Sequence, residues 1–303
     1  MTVGVGAVRQ LEYYRVVAED TWGTDPGSGY TGIAFDDYGV ELENEVLQQD
    51  KYTGDIDVVY ADIVSQMLQG SITSQVWPDN AGLLLEMAGI QRLANEDVKS
   101  WTIHGYDRAK NEYISHSGLK CNSVDIAASG EDPKLKFTME MIGKTETSIS
   151  SFVKPTLPQS AAFEFHDGTF TMGGVTEDVC TAFSIKVNNN LSPSTPKDAS
   201  RNIKWIDPGR RNIEVTFTVR TQETMAQHYR QLIRNRNAGL SLVVAFNYPG
   251  TGSPYDTLTF TLPALVLQSV VRTGGVGDIQ TLVCTAIAKR TGASAAIVAA
   301  AAA

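Results

Sequence analysis

The sequence predicts a mainly β protein in which one β-barrel or sandwich occurs twice, each copy with one short α-helix. Residues 212–248 show this unit most clearly. Apolar and polar side chains alternate over residues 212–220, which is the period of a strand with one solvated face. Residues 225–233 carry apolar side chains at helical spacing, and residues 240–246 are apolar and β-branched, as in a buried strand. A strand, a helix and a second strand therefore follow one another.

The same alternation and turn signals divide the first 150 residues into a comparable series. Glycine, proline and aspartate are concentrated at residues 19–29, which predicts a connector, and Pro78 and Gly89 flank the predicted helix. In chain order we expect strands at residues 3–17, 40–46 and 61–76 (bent at Gly70), a helix at 81–87, a hairpin of 101–105 and 113–116, and strands at 119–126 and 135–141.

A second series in the same order follows a stretch rich in Thr, Ser and Pro at residues 144–160, which is linker-like in composition. Its strands and helix are expected at residues 183–187, 212–220, 225–233, 240–248, 258–272 and 279–289. We therefore predict a first β domain at residues 1–150, a linker at 151–160, a second β domain at 161–290 and an Ala-rich C-terminal tail at 291–303. Two unrelated sandwiches with a similar order are the alternative.

Composition excludes several broad classes of protein. With 42% hydrophobic and 19% charged residues the chain can bury a core, which argues against global disorder. The first residues lack the features of a secretory signal, and no apolar run reaches the roughly 18 residues that a membrane helix needs. The three cysteines (Cys121, Cys180 and Cys284) are widely spaced and form no CxxC motif, so we expect buried thiols in a reducing compartment.

The charge distribution is uneven along the chain. The net charge of -9 argues against a nucleic-acid grip through phosphate contacts. Residues 1–150 hold 11 Lys/Arg and 24 Asp/Glu, whereas residues 151–303 hold 14 and 10, so the halves carry -13 and +4. This asymmetry is expected if one half meets the other half of a neighbouring subunit. Unselected surface charge is the alternative.

The residues that could carry chemistry are scattered. His104, His116, His166 and His228 lie beside no cysteine or carboxylate at metal-ligand spacing. His104 and His116 could face each other across the predicted hairpin, and a solvent-side pair is the expected arrangement. The glycine-rich residues 273–278 lie between two strands and open no helix, so they predict a hairpin turn rather than a phosphate loop. The sequence thus predicts no enzyme, no metal site and no cofactor.

One carboxylate cluster remains to be interpreted. Glu41, Glu43 and Glu45 are spaced by two residues, which places them on one face of a strand, with Leu42 turned the other way. Like charges so close together repel one another and do not match the paired carboxylates of a glycosidase. A solvated strand face is the simplest interpretation, and the acidic lining of a passage is the functional one.

Short motifs in a fixed order then point to a family. They are EDTWGTDP at residues 19–26, QGSITS at 69–74, WPDN at 77–80, LLL at 83–85, NEYISHSGLKCNSV at 111–124, FTMEMIG at 137–143 and SIKVNNNL at 184–191. Together they resemble the tail tube proteins (major tail proteins) of long-tailed, non-contractile bacteriophages. The resemblance runs through most of the chain, over residues 16–290.

The resemblance implies a structural virion protein. Such proteins form rings by joining β-strands of neighbours, and the rings stack into a tube through a long loop. Three copies of a duplicated chain would give a homotrimeric ring of pseudo-sixfold symmetry, and a hexamer is the alternative. The expected lumen-facing residues are Glu41, Glu43, Glu45, Asp125 and Glu140. The expected stacking loops lie at residues 48–57 and 191–202 and include Gln48, Gln49, Asp50, Lys51, Tyr52, Ser194, Lys197 and Asp198.

The resemblance also implies partners and a location. A tape measure protein would fill the tube, tail terminator and distal tail proteins would cap it, and DNA would pass through without specific binding during ejection into the host cell. The chain would be made in the host cytoplasm and end in the virion tail, without membrane insertion. A tube protein of a contractile injection or secretion machine shares this architecture. A carbohydrate-binding β-sandwich is a third possibility, although the four tryptophans are far apart in sequence.

Overall fold

The described chain consists almost entirely of antiparallel strands. A computed structural model describes residues 11–49, 60–90, 97–107, 111–157, 160–173, 175–176, 180–194, 202–220, 240–248, 256–273, 281–290 and 296–302. The strands of the first half are β1 (Leu11–Ala18), β2 (Thr31–Ile33), β3 (Asp37–Tyr38), β4 (Glu41–Gln49), β5 (Tyr60–Gln75), β6 (Trp101–Asp107), β7 (Glu112–Ser129), β8 (Lys136–Gly143) and β9 (Thr145–Ile149). One α-helix, α1 (Ala81–Met87), lies between β5 and β6.

The second half continues with shorter elements after a single 3-10 turn at Phe165–Asp167. Its strands are β10 (Gly168–Met172), β11 (Val175–Thr176), β12 (Cys180–Asn188), β13 (Ser192–Ser194), β14 (Trp205–Asp207), β15 (Asn212–Arg220), β16 (Leu240–Asn247), β17 (Thr257–Thr273), β18 (Thr281–Ala288) and β19 (Val298–Ala302). The predicted helix at residues 225–233 lies outside the described residues.

The first half is a sandwich whose two sheets share the long strand β7. The C-terminal part of β7 pairs with β8, which pairs with β5, which pairs with β3 and β4. The N-terminal part of β7 pairs with β6 on one side and with β9 on the other, and β6 continues through β1 to β2. A strand that bends between two sheets closes the sandwich at that corner.

Pairings in the second half follow the same order. β12 pairs with β15, β15 with β18 and β18 with the C-terminal part of β17, whose N-terminal part pairs with β16 and β19, and β16 continues through β10 to β11. Each partnership of the first half therefore has a counterpart. This common order supports the proposal that the chain duplicates one domain, and chance similarity between two sandwiches would have to reproduce it strand by strand.

The two halves are joined by a continuous sheet. β7 of the first half pairs with β12 of the second half in antiparallel register, with Asp125 opposite Lys186. This contact makes a single sheet in the order β4–β5–β8–β7–β12–β15–β18–β17, which we call the shared sheet. One apolar cluster runs along its buried face through both halves, including Phe137 of β8, Phe217 of β15 and Phe260 of β17.

Several sequence expectations are confirmed by these elements. α1 occupies the predicted residues and Gly89 follows it with φ +67°, a conformation that favours glycine. Cys121 and Cys284 are buried free thiols, and burial raises the pKa of both, to about 12 for Cys284.

Two expectations about loops need correction. The linker-like stretch at residues 144–160 begins with β9, which pairs with β7, because its threonines suit an edge strand as well as a loop. Gln48 and Gln49 were expected in a loop but belong to β4, which shifts register between Glu45 and Val46 and then stays paired with β5 as far as Tyr60. In the Ala-rich tail, Val298–Ala302 forms β19 on the edge of β17.

The close packing of β5 against the β3–β4 connection depends on one glycine. Gly70 has φ +153°, and a Cβ atom built on it would lie 2.0 Å from the carbonyl oxygen of Gly39. The main chain of the β3–β4 connection therefore approaches β5 more closely than any side chain allows. This contact holds the first strand of the shared sheet against the second.

Gly70→Ala should lower the free energy of unfolding by roughly 2–5 kcal/mol, because it adds backbone strain and a steric clash. The matched control is Gly27→Ala, since Gly27 has φ +75° but nothing within 4 Å of its built Cβ. That variant should lose only about 1–2 kcal/mol. Denaturant unfolding of both variants measures the difference, and equal losses would show that close packing at Gly70 is unimportant.

Candidate functional site

The shared sheet has one buried face and one open polar face. In β15 every second side chain, from Ile213 to Val219, is buried, and the side chains between them are half-buried. Cross-strand register carries this alternation across the sheet, because residues opposite each other share a face. The polar face includes Glu41, Glu43, Gln69, Ser71, Thr73, Gln75, Lys136, Thr138, Glu140, Ser123, Asp125, Ala127, Ser184, Lys186, Asn188, Glu214, Thr216, Thr218, Arg220, Thr281, Val283, Thr285, Ser269 and Val271. The same register also places Met67, Ile142, Ala182 and Ile287 on this side.

Most side chains on this face are short and uncharged, chiefly serine and threonine. Among the described residues listed above, five are acidic and three are basic. The acidic ones are Glu41, Glu43, Asp125, Glu140 and Glu214, and the basic ones are Lys136, Lys186 and Arg220. The face is therefore acidic on balance but carries charges of both signs.

The charges are arranged in opposite pairs near the middle of the face. Asp125, Lys186 and Glu214 lie side by side on three successive strands, so the lysine has a carboxylate on each side. Asp125 also accepts a 2.6 Å hydrogen bond from the Ser184 hydroxyl. Lys136 is 2.6 Å from the Asp132 carboxylate in the turn before β8. Lys136 is therefore ion-paired, and the carboxylates on the strands beside Lys186 weaken the attraction of that lysine for a passing polyanion.

The structure brings four of the five expected lumen residues onto this face. Glu41, Glu43 and Glu140 are exposed and Asp125 is half-buried. The fifth, Glu45, lies in β4 opposite Ser65, and its side chain lies outside the described residues. Sequence reasoning missed Glu214 and the three basic side chains, although the alternation over residues 212–220 already places Glu214 and Arg220 on the polar side.

The expected stacking residues fall in two different settings. Gln48 and Gln49 pair with Ala61 and Tyr60 in the β4–β5 hairpin, and Asp50, Lys51 and Tyr52 lie outside the described residues. In the second half, Ser194 ends β13 opposite Trp205, and Lys197 and Asp198 lie outside the described residues.

The segment after β12 packs against the first half of the chain. Leu191, Ile203 and Ile206 form a small second core with Val98 and Ile142. The Ile203 amide donates a 3.3 Å hydrogen bond to the Gln66 carbonyl, which fastens this segment to β5. Its apolar residues therefore cover one end of the polar face, and Leu191 anchors the start of the predicted loop at 191–202 while Ser192 and Pro193 are exposed.

Both ends of the shared sheet have an unpaired side among the described residues. β4 pairs with β5 alone, and the C-terminal part of β17 pairs with β18 alone. Exposed apolar side chains mark both edges, with Leu42 40% exposed on β4 and Val271 53% exposed on β17. An open strand edge with apolar side chains is a site for pairing with another strand.

Comparison with protein families identifies the chain. A family model described as phage tail tube protein matches residues 11–282. The chain belongs to the phage tail tube protein family. No curated protein sequence matches it significantly. The match spans both halves, so this tube protein is a structural component of a virion tail, and its mainly β sandwich agrees with the fold expected from the sequence.

The described residues of this tube protein hold no group of three or more His, Cys, Asp or Glu side chains arranged for a metal ion. Within the same part of the chain, no helix is both long and apolar enough to cross a membrane. The polar face presents mainly hydroxyl, amide and charged side chains.

The two hairpin histidines were expected on the solvent side, and that expectation is wrong. His104 is 3% exposed and His116 is 2% exposed. They are not opposite each other, because Ser115 faces His104 and Ile103 faces His116. The hairpin is covered on one side by the connector after β1 and on the other by the core, which the hairpin sequence alone does not reveal.

His104 is held in one tautomer by charged neighbours. Its Nδ1 accepts from the Arg15 guanidinium at 2.9–3.1 Å, so its Nε2 carries the proton and donates to Asp25 at 2.7 Å. The Tyr30 hydroxyl also donates to Asp25, and its ring stacks 4.2 Å from the Arg15 guanidinium carbon. His116 similarly accepts from the Tyr38 hydroxyl at 2.5 Å and donates to Glu146 at 3.0 Å.

These contacts fix the direction of two pKa shifts. Burial lowers the pKa of His104, the hydrogen bond and negative charge of Asp25 oppose this effect, and the Arg15 charge lowers the pKa further. Burial alone would raise the pKa of Asp25, but hydrogen bonds from Tyr30, Gly27 and His104 lower it. Neutral His104 therefore joins the connector to the hairpin.

Stability should fall as the pH drops through about 6.5, the ordinary pKa of histidine, because the unfolded chain then binds a proton that folded His104 resists. His104→Gln should remove part of this dependence, and the exposed His166 provides a matched control, His166→Gln. Melting temperatures between pH 8 and pH 5 measure it, at about 2–4 °C per kcal/mol. An unchanged slope in His104→Gln would contradict this assignment.

Proposed function

We propose that copies of this chain join through their strand edges into closed rings, that the rings stack into the tail tube, and that the polar face of the shared sheet lines the bore. The β7–β12 junction carries this proposal, because it is a complete example of one tube-like half pairing with the next. The same kind of edge is open at both ends of the sheet, at β4 and at β17.

Ring closure satisfies a physical requirement of the fold. Unpaired backbone N–H and C=O groups along β4 and β17 would invite open-ended association of the sheet. A head-to-tail contact between these two different edges is heterologous, and such contacts end only when the ring closes. A closed ring therefore turns an aggregation hazard into a defined assembly.

The number of copies follows from how many halves each chain supplies. If each chain contributes two equivalent halves and one internal junction, three chains give a ring with six junctions. This supports a homotrimer of pseudo-sixfold symmetry over a hexamer. A tape measure protein inside the tube, and tail terminator and distal tail proteins at its ends, complete the proposed assembly.

The chemistry of the polar face suits a conduit for DNA. Short hydroxyl side chains present little apolar surface to the bases, and the acidic excess repels phosphates. The lysine at 186 is flanked by carboxylates, so it does not act as an isolated phosphate ligand. DNA would thus slide past this surface during ejection without being held.

The β4–β5 hairpin is the proposed contact between stacked rings. Beyond Ser65, residues 46–49 pair with residues 60–63, and no further strand of the described residues pairs with either. The corresponding segment of the second half packs back on its own chain through Leu191, Ile203 and Ile206. Only the first hairpin is therefore proposed to reach the next ring.

Glu140→Lys tests the bore. Glu140 is exposed near the middle of the face, and a lysine there repeats in every ring, where it would bind phosphate and slow DNA. Virions that carry the variant should assemble but eject DNA roughly tenfold more slowly or worse at low salt, with partial recovery at high salt.

Glu112→Lys is the matched control for this experiment. Glu112 is also exposed but begins β7 in the hairpin with β6, away from the polar face, and the net charge changes equally. Its virions should eject DNA at the normal rate. If both variants eject normally, the polar face does not line the bore.

Removal of the hairpin tests stacking. Residues 48–61 would be replaced by a two-residue Asn-Gly turn that joins Leu47 to Asp62, which are opposite each other. We expect soluble rings that do not extend into tubes, seen by electron microscopy and by analytical ultracentrifugation. Normal long tubes from this variant would overturn the stacking role of the hairpin.

A further inference from the structure

We propose that neighbouring copies join the β4 edge of one chain to the β17 edge of the next in one defined antiparallel register, which places Glu41 opposite Val271, Leu42 opposite Val270 and Glu43 opposite Ser269. This register rests on the proposed ring assembly. The occupant of each open edge is therefore a second copy of this chain, and the pairing is specified residue by residue.

The template is the junction inside the chain. β12 lies against the C-terminal part of β7, with Lys186 opposite Asp125, Val187 opposite Val124 and Asn188 opposite Ser123. Val124 and Val187 are fully buried there. The junction thus has one apolar side and one polar side, like the rest of the shared sheet.

Residues of β12 correspond to residues of β3 and β4, and the residue numbers of corresponding positions differ by a constant amount. Leu42 is opposite Leu68 in the first half, and Val187 is opposite Ile213 in the second. The residue numbers of both members of the pair therefore increase by 145 from the first half to the second. The Tyr38–Ile72 pair advances by the same step to Phe183–Phe217. Glu41, Leu42 and Glu43 therefore correspond to Lys186, Val187 and Asn188.

The β7 side transfers to β17 in the same way. Asp125 is opposite Thr138 in the first half, and Val271 is opposite Val283 in the second. Residue numbers therefore increase by 146 from β7 to β17 and by 145 from β8 to β18. Each strand also has an irregularity at the corresponding place, between Cys121 and Ser123 in β7 and between Leu267 and Ser269 in β17. Matching bulges fix this correspondence, since a bulge changes the register of everything beyond it.

Apolar side chains are more exposed at the β4 and β17 edges than at the internal β7–β12 junction, as expected if these two edges lack their partner strand in the single chain. Leu42 is 40% exposed, whereas its counterpart Val187 is fully buried. Val270 is half-buried, whereas its counterpart Val124 is fully buried. Pairing Leu42 with Val270 would cover both apolar side chains on the core side of the sheet, as Val187 and Val124 cover each other.

The two junctions also differ in charge. The internal junction has an Asp125–Lys186 pair of opposite charges, whereas the corresponding external pair is Val271 and Glu41. A negative charge at residue 271 would therefore lie directly opposite Glu41 and weaken assembly, and a positive charge there would strengthen it. Because Glu41 is the one charged residue of the external pair, a single substitution at Val271 can strengthen or weaken the contact between chains.

Disulfide trapping tests the register in the full-length chain. Residues directly opposite in antiparallel strands have Cα atoms about 4.5–5.5 Å apart, within the range a disulfide spans. Cys180, which is half-buried, would first be replaced by Ser. Glu41→Cys and Val271→Cys would then be introduced together, since both positions are exposed. Mild oxidation of assembled protein should give covalent dimers and trimers on non-reducing gels, in most of the chains.

Two matched variants calibrate the result. Asp125→Cys with Lys186→Cys should cross-link within one chain, which shows that the chemistry works at an equivalent junction. Glu43→Cys with Val271→Cys shifts the pair by two residues on the same face and should cross-link at least tenfold less. Efficient cross-linking of this shifted pair instead of the Glu41–Val271 pair would overturn the register.

Electron microscopy of the unmodified chain distinguishes a failure of the proposed register from a failure of the proposed ring and tube assembly. If tubes form but the Glu41–Val271 pair does not cross-link, the register is wrong while the proposed function stands. If the unmodified chain forms neither rings nor tubes, the proposed function itself fails.

A charge exchange provides an independent check should the cysteine variants fail to assemble. Val271→Glu should reduce ring formation several-fold, and Glu41→Lys in the same chain should restore it. Absence of this rescue, with both chains folded, would count against Glu41 facing residue 271.

Discussion

Backbone pairing along strand edges is the constraint on which the rest of this structure depends. A sheet exposes unpaired N–H and C=O groups at both ends, and the chain pairs one such edge internally, where β7 meets β12. That contact aligns the buried faces of the two halves, so one apolar cluster continues from one half into the other. It also aligns their polar faces, which is why a continuous surface exists at all.

Differences between the halves are as informative as their common pairing order. The segment after β12 packs on its own chain through Leu191, Ile203 and Ile206, while the β4–β5 hairpin beyond Ser65 has no other strand partner among the described residues. Equivalent positions therefore have different surroundings in the two halves. Loops tolerate such differences more readily than the strands that carry them, because they lie on the surface and make fewer packing contacts.

Sequence reasoning performed best where local physics decides the outcome. Strict alternation over residues 212–220 predicted β15 and the sides of its residues, and Gly89 predicted the end of α1. It performed worst at His104 and His116, which were expected in solvent but are buried. The difference arises because covering of a strand face depends on a segment distant in sequence, here the connector that carries Asp25.

The sequence alone determined the class of the protein, the position of most strands and the acidic side of β4, since these follow from side-chain periods along the chain. Only the tertiary structure decided which strands become neighbours, that Asp125 lies opposite Lys186 across the two halves, and that β4 and β17 keep an open edge within the described residues. Pairing between strands far apart in sequence leaves no local signal, because any two strands of similar pattern present the same backbone groups to each other.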